Sequence, residues 1–242
     1  MTPLLELRGV SKSFYGVRAV ADVSFEMARD NIVALIGPNG AGKTTIFNMV
    51  AGAIKPDSGM IHFNGGRIDG LRADQACAAG IGRTFQIVQP FAGLSVLDNV
   101  VVGALRHAVN PRQARSHADA ILETLGLGAK RDLIAAHLTL PERKRLEVAR
   151  ALATRPKLLL LDEVLAGLRP TECDRMVNVL QEIKQRDGIA ILLIEHVMRA
   201  VMALAQQIVV LHHGEVIAQG APDKVVRDPA VLASYLGENV ES

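Results

Sequence analysis

The chain has 242 residues, 49% of them hydrophobic, with 27 Lys and Arg against 25 Asp and Glu and a formal net charge of +2 at pH 7. That length suits one large domain, or one domain carrying a substantial insertion, and is enough to bury a sizeable core. Dispersed, nearly balanced charge and few aromatic residues (two Tyr, six Phe, no Trp) give neither the basic footprint nor the stacking platforms of a nucleic-acid-binding protein.

In chain order, residues 4–10 and 20–27 alternate loosely between apolar and polar around Tyr15-Gly16. They predict antiparallel strands. The apolar run IVALI at 32–36 then leads through GPNGAGKTT at 37–45 into IFNMV at 46–50, which reads as strand, glycine-rich turn and helix. This is the context in which a phosphate-binding loop is credible, and G-x-x-x-x-G-K-[ST] is matched in full, a match expected by chance in only about one such chain in a hundred. Gly37, Gly40 and Gly42 let the backbone turn so that successive N–H groups and a helix N-terminus face one anion. Lys43 supplies a mobile charge for the terminal phosphates of a nucleoside triphosphate, and Thr44 a hydroxyl for its Mg2+.

Turns follow at 55–59 (KPDSG) and 64–66 (NGG), with a short strand at 60–63 between them, a helix at 72–79, and a strand at 80–86 that ends in Gln86. From about Val96 to Arg150 apolar residues recur at helical spacing, with breaks at Asn110-Pro111, Gly126–Gly128 and before Pro141. This predicts a mainly helical insertion. Residues 157–162 (KLLLLD) and 188–196 (GIAILLIEH) are near-continuous apolar runs, as in parallel strands covered on both faces. Helices are predicted at 171–186 and 197–206, then two short helical pieces in the tail, the last opened by Asp228-Pro229. Cys77 and Cys173 lie apart from each other and from any His at ligand spacing, which suits a reduced intracellular protein. Neither a signal peptide nor a transmembrane run is expected.

Ligands of parallel α/β sheets bind beyond the carboxyl ends of the strands. Four predicted strands end in the phosphate loop, Gln86, Asp162-Glu163 and Glu195-His196. Asp162, at the end of a buried strand, calls for a partner such as Mg2+, which leaves Glu163 to orient or deprotonate water. Gln86 then becomes a candidate for sensing Mg2+ and the attacking water. His196 alone reads as an ordinary surface histidine, but its place after the next buried strand makes it a site candidate.

With these motifs in this order, the chain resembles the ATP-binding cassette (ABC) ATPases over essentially its whole length. The resemblance implies an α/β fold, the P-loop NTPase fold of the ABC ATPase type, with a mostly parallel sheet with helices on both faces, an N-terminal antiparallel β subdomain and a helical insertion. Residues 1–242 would be one ABC ATPase domain, 1–86 and 151–242 forming the nucleotide-binding core and about 87–150 the helical subdomain. Its cofactors would be ATP and Mg2+. ATP would be held by Gly37, Pro38, Asn39, Gly40, Ala41, Gly42, Lys43, Thr44 and Thr45, with Phe14, or the adjacent Tyr15, stacked on adenine. Thr44, Gln86 and Asp162 would serve Mg2+, and Glu163, His196 and Gln86 hydrolysis. GIGRTFQ at 80–86, PFAGLSVLDNVVVGA at 90–104, LLIEHVM at 192–198 and GAPDKVVRDPAVLASYLGE at 220–238 look like the ATPase subunits of branched-chain amino acid importers, whose relatives also import urea, amides and other amino acids. The partners implied are integral membrane permease subunits, a second ABC ATPase subunit and, indirectly, a solute-binding protein, with no nucleic acid. The location implied is cytoplasmic, on the inner face of the membrane. Residues 89–94 are where a permease coupling helix would dock. Permease-independent ABC ATPases and weakly hydrolysing regulatory subunits remain the readings of other classes.

Two departures stand out. Where the family carries LSGGQ, this chain has LTLPE at 138–142. Thr139-x-x-Glu142 reads as a capping box, while Glu142 brings a negative charge to where the family's segment meets the partner subunit's ATP. Arg143, Lys144 and Arg145 either offset that charge or form a solvated face. After Glu163, Val164 replaces the family's usual Pro and Arg169 its usual Asp or Asn, which bears on contacts across a dimer.

Overall fold

The computed structural model describes residues 2–85 and 89–236. It divides into two compact units, Met1–Ala79 with Ala190–Ser242, and Gly80–Ile189.

In the first unit, β1 (Leu5–Phe14) pairs antiparallel with β2 (Val17–Met27), and β4 (Ser58–Phe63) pairs with β1 and with the short β5 (Gly66–Arg67), giving the order β2-β1-β4-β5. The first two strands run longer than the alternation predicted. A second set of strands is built on β3 (Ile32–Ile36), which lies parallel to both β8 (Ala190–Ile194) and β9 (Gln207–His212), with β10 (Glu215–Gly220) antiparallel on β9. All five residues of β3 and of β8 are buried, as their unbroken apolar sequence requires. α1 (Lys43–Val50) follows β3, α2 (Ala73–Ala79) follows β5, and α7 (Met198–Leu204) follows β8. The tail holds α8 (Pro222–Val225) and α9 (Pro229–Leu236), and Asp228 accepts the Ala230 N–H at 2.8 Å, as the Asp-Pro pair predicted. The sequence reading did not contain β9 and β10.

In the second unit, β6 (Ile81–Arg83) and β7 (Leu158–Asp162) are parallel. Between them run α3 (Val96–Ala104), α4 (Pro111–Thr124) and α5 (Leu140–Ala153), and after them α6 (Pro170–Asp187). Each helix starts on a recognisable cap. Ser95 accepts the Asp98 N–H at 3.0 Å, Asn110 accepts the Gln113 N–H at 2.9 Å, and Pro111 and Pro170 stand at the first helical position. Cys173, Met176, Val177, Leu180 and Ile183 are the buried stripe of α6, which Gly188 ends in the left-handed conformation. Both cysteines are free thiols.

One polar side chain organises the start of the helical stretch. Asn99 is fully buried on α3, accepts the Phe91 N–H at 2.8 Å, and donates to the carbonyls of Phe91 at 3.1 Å and Ser95 at 2.9 Å. It closes the 91–95 loop onto the helix. Asn99→Ala leaves those loop groups without their partner and is expected to cost about 2–4 kcal/mol, several unmet hydrogen bonds of about 1 kcal/mol or more each. The check is the thermal midpoint, expected to fall by roughly 5–15 °C for a chain of this size.

Candidate nucleotide site

The phosphate loop is shaped by contacts that only glycine permits. At Gly42, φ is 100°, and a Cβ would lie 2.4 Å from the Ala19 carbonyl oxygen of β2. At Gly37 it would lie 2.0 Å from the Leu211 carbonyl oxygen of β9. The loop is therefore pressed between β2 and β9. The β9–β10 turn adds two bonds: the Gly214 N–H donates to the Ala41 carbonyl at 3.2 Å, and the Gly214 carbonyl accepts the Ala21 N–H at 2.8 Å. Lys43 is 6% exposed, and its Nζ donates to the carbonyls of Gly37 at 2.6 Å and Pro38 at 2.8 Å, so its charge lies along the loop. No side chain caps the N-terminus of α1, and Thr44 in its first turn is exposed. A helix end of this kind satisfies its donors with an anion.

Around the loop the first unit gathers two more predicted residues. In the β1–β2 ladder, Phe14 pairs with Val17 and Ser13 with Arg18, next to the Ala19 on which Gly42 rests. Phe14 is 40% exposed, with the Lys12 ammonium 5.7 Å from its ring centre, and Tyr15, at φ 49°, stands fully in solvent. Leu35 pairs with Ile194 across β3 and β8, so the loop and Glu195-His196 leave neighbouring parallel strands at the same end. Glu195 is buried and His196 exposed.

The second unit carries the acidic pair. β7 ends in Asp162, which is 1% exposed, and Thr84 fixes that end: its hydroxyl accepts the Asp162 N–H at 3.1 Å, and its own N–H donates to the Leu160 carbonyl at 2.9 Å. The Arg83 guanidinium stands 3.7 Å from the Asp162 carboxylate. Burial pulls the Arg83 value down against the opposing pull of Asp162. Glu163 is half-buried and has φ 51°, the left-handed region, which costs a residue with a Cβ about 1–3 kcal/mol. Gln86 lies outside the described residues.

Among the described residues no group of three His, Cys, Asp or Glu side chains could hold a metal. Thr44 brings a hydroxyl oxygen and Asp162 a carboxylate, each a hard donor of the kind Mg2+ takes, so the chemistry of each residue by itself suits that ion.

The signature stretch is a capping box. The Thr139 N–H donates to Glu142 at 3.0 Å, and Glu142 is held by Lys130 at 2.5 Å. Burial works against the Glu142 charge, but the bonds from Lys130 and Thr139 outweigh it and hold the carboxyl below the ordinary glutamate range. Its charge is thus met within the chain. The reading of the basic run as a solvated face is corrected. Arg143 donates to the Leu138 and Ala136 carbonyls at 2.9 Å each, Lys144 to the Glu163 carbonyl at 2.6 Å, and Arg145 to the Leu125 carbonyl at 3.2 Å. Three consecutive residues on a helix point about 100° apart, so they cannot share one wet face. The sequence carried that signal, since Lys144, Val148 and Ala151 fall at i, i+4 and i+7 on the buried side of α5.

A glycine-shaped phosphate loop on a helix N-terminus beside parallel strand ends defines a P-loop nucleotide-binding protein. The sequence profile of the ABC transporter family matches residues 20–166, and that of the branched-chain amino acid ATP-binding cassette transporter family matches residues 215–241. Over 98% of both chains, the protein is 35% identical to the high-affinity branched-chain amino acid transport ATP-binding protein BraF of Pseudomonas aeruginosa. Over the full length of both, it is 34% identical to the lipopolysaccharide export ATP-binding protein LptB of Acidithiobacillus ferridurans. A crystal structure of an ABC transporter's ATP-binding cassette in its ADP conformation superposes with a TM-score of 0.88 at 30% identity, covering 98% of this chain and 100% of that one. The chain belongs to the ABC transporter ATP-binding proteins, in the branched-chain amino acid transporter family, and is an ATP-hydrolysing cassette of that fold.

Glu142→Ala removes the capping box and the Lys130 partner together, a loss of about 1–2 kcal/mol on the scale of helix caps. Because folding depresses the Glu142 value, its contribution is complete above the unfolded glutamate value and is lost as pH falls through the folded one. Denaturant unfolding at several pH values is expected to show the gap between wild type and variant shrinking below the ordinary glutamate range.

Proposed function

We propose that this chain is the ATPase subunit of an importer for branched-chain or related amino acids, working with a separate membrane permease. The observation that carries this choice is the tail. Overall identity is nearly the same to the BraF and LptB relatives, whereas residues 215–241 match the branched-chain cassette family in particular. No helix among the described residues is long and apolar enough to cross a membrane, which fits a subunit that acts through a permease at the cytoplasmic face.

In this reading the loop amides and Lys43 position the phosphates, Phe14 stacks on adenine, and Thr44, Gln86 and Asp162 serve the Mg2+. When bound, that ion neutralises developing phosphate charge. Glu163 takes the proton of the attacking water, and Gln86 and His196 align water and γ-phosphate. The carboxylate is acceptor-only when ionised, so Glu163→Gln removes the base while keeping the shape. It is expected to lower ATP turnover by a factor of 100 or more with ATP affinity retained. A variant that matches an active wild type sinks the assignment, and a wild type with no turnover above the enzyme-free background sinks hydrolysis itself in favour of a regulatory subunit.

The solute is tested in the assembled transporter. Branched-chain amino acids are expected to raise ATP turnover several-fold, and stimulation by urea, amides or no small solute at all would overturn that choice. The self-capped Thr139–Glu142 end further supports a pair of unlike subunits, the site built on this chain's Lys43 being the more active of two. Equal losses on replacing the phosphate-loop lysine of either subunit would contradict this.

A further inference from the structure

Glu163 occupies a backbone conformation that residues with a Cβ avoid, at φ 51°, directly after the last residue of β7. Such a conformation persists only where surrounding contacts over-determine it. Its carbonyl accepts two bonds, from the Ala166 N–H at 3.2 Å and from Lys144 Nζ at 2.6 Å. The first closes the turn locally. The second comes from α5, 19 residues away in sequence, from an ammonium that is only 6% exposed.

Burying an ammonium is costly, and a buried one is spent where its hydrogen bonds hold something. This one holds the peptide plane immediately after the Glu163 Cα. φ and ψ at that residue set the direction of its Cα–Cβ bond, the base from which the side-chain torsions swing its carboxylate. The structure assigns to Lys144 the role of a positioning residue: it locks the backbone of Glu163 so that the carboxylate is aimed at the attacking water. This rests on the reading of Glu163 as the base.

The same bond couples two parts of the second unit. Lys144 stands five residues after Thr139, the N-cap residue of α5, so the helix that carries the altered signature is tied directly to the base. Arg143 donates to carbonyls in 136–138, just ahead of α5, and Arg145 to those of 125–126, just after α4. Of the three bases, Lys144 reaches β7's end.

The test uses the full chain with Mg2+ and ATP, measuring steady-state turnover, ATP affinity and the thermal midpoint. Lys144→Met is expected to lower kcat by a factor of 10 or more while ATP affinity stays within two-fold. Lys144→Arg, which keeps a cationic donor, is expected to recover at least a third of the lost turnover. In the Glu163→Gln background Lys144→Met is expected to add less than a two-fold loss, because a residue acting only through Glu163 has nothing left to position. If the Met variant does not fold, Lys144→Leu, which likewise has no donor, carries the same comparison. Turnover within two-fold of wild type in folded Lys144→Met overturns the proposal, as does a full further loss in the Glu163→Gln background. An equal fall in ATP affinity and kcat also overturns it. If Glu163→Gln itself keeps wild-type turnover, the base assignment falls and this proposal with it; if Glu163→Gln is inactive and Lys144→Met is not, only the positioning role falls.

Discussion

β3, β7 and β8 are buried along all five of their residues, and an ionised side chain cannot sit inside such a strand without a partner. Charged and hydroxyl-bearing groups are therefore displaced to the carboxyl ends, and the register of pairing decides which of them emerge together. Leu35 opposite Ile194 brings out the phosphate loop beside Glu195-His196; Arg83 opposite Leu160 brings out Thr84 beside Asp162-Glu163. A shift of one residue in either pair would turn these groups to the other face. The chemistry depends on hydrophobic strands that carry it only at or just beyond their last residue.

The irregular backbone around those ends carries its own demand, since a buried carbonyl without a donor costs about as much as a lost hydrogen bond. In the second unit α5 supplies donors to several part-buried or exposed loop carbonyls. Arg143, Lys144 and Arg145 reach three separate loops, and Arg150 adds the Gln89 carbonyl at 3.0 Å while its guanidinium lies 4.8 Å from the Phe91 ring centre. Arg150 also pairs with the buried Glu147, whose carboxyl burial pushes up against the opposing pull of Arg150. Long basic side chains thus do for these loops what ladder bonds do for strands.

These two features were not equally legible. The phosphate loop, the apolar strands and the Thr139 capping box each have a local signature, and the structure reproduces them. β9 and β10 were not read because the four apolar residues Ile208 to Leu211 have no period that separates a buried strand from a helix turn. The signal was in the turn: His213 and Gly214 both have positive φ, 47° and 83°, between the paired His212 and Glu215, the two-residue hairpin geometry. The α5 bases were missed for a different reason. A charge run is read as exposed by default; the helical spacing of Lys144 with Val148 and Ala151 marks its inward side, but not which carbonyls the three bases reach.

The N-termini of α1 and α5 show the same physics put to opposite uses. A helix leaves its first N–H groups unmet, and the chain can either offer them to a ligand or meet them itself. At α1 the residue before the helix is Gly42, which has no side chain to cap with, and the loop ahead is turned by glycines that clear β2 and β9. At α5 Thr139 and Glu142 cap each other, Pro141 brings no N–H, and Lys130 meets the remaining charge. At the first end no N-cap side chain takes up these groups, and at the second the capping box takes up part of them. What α5 extends toward the chemistry is therefore its inward side, through the Lys144 ammonium that donates to the Glu163 carbonyl.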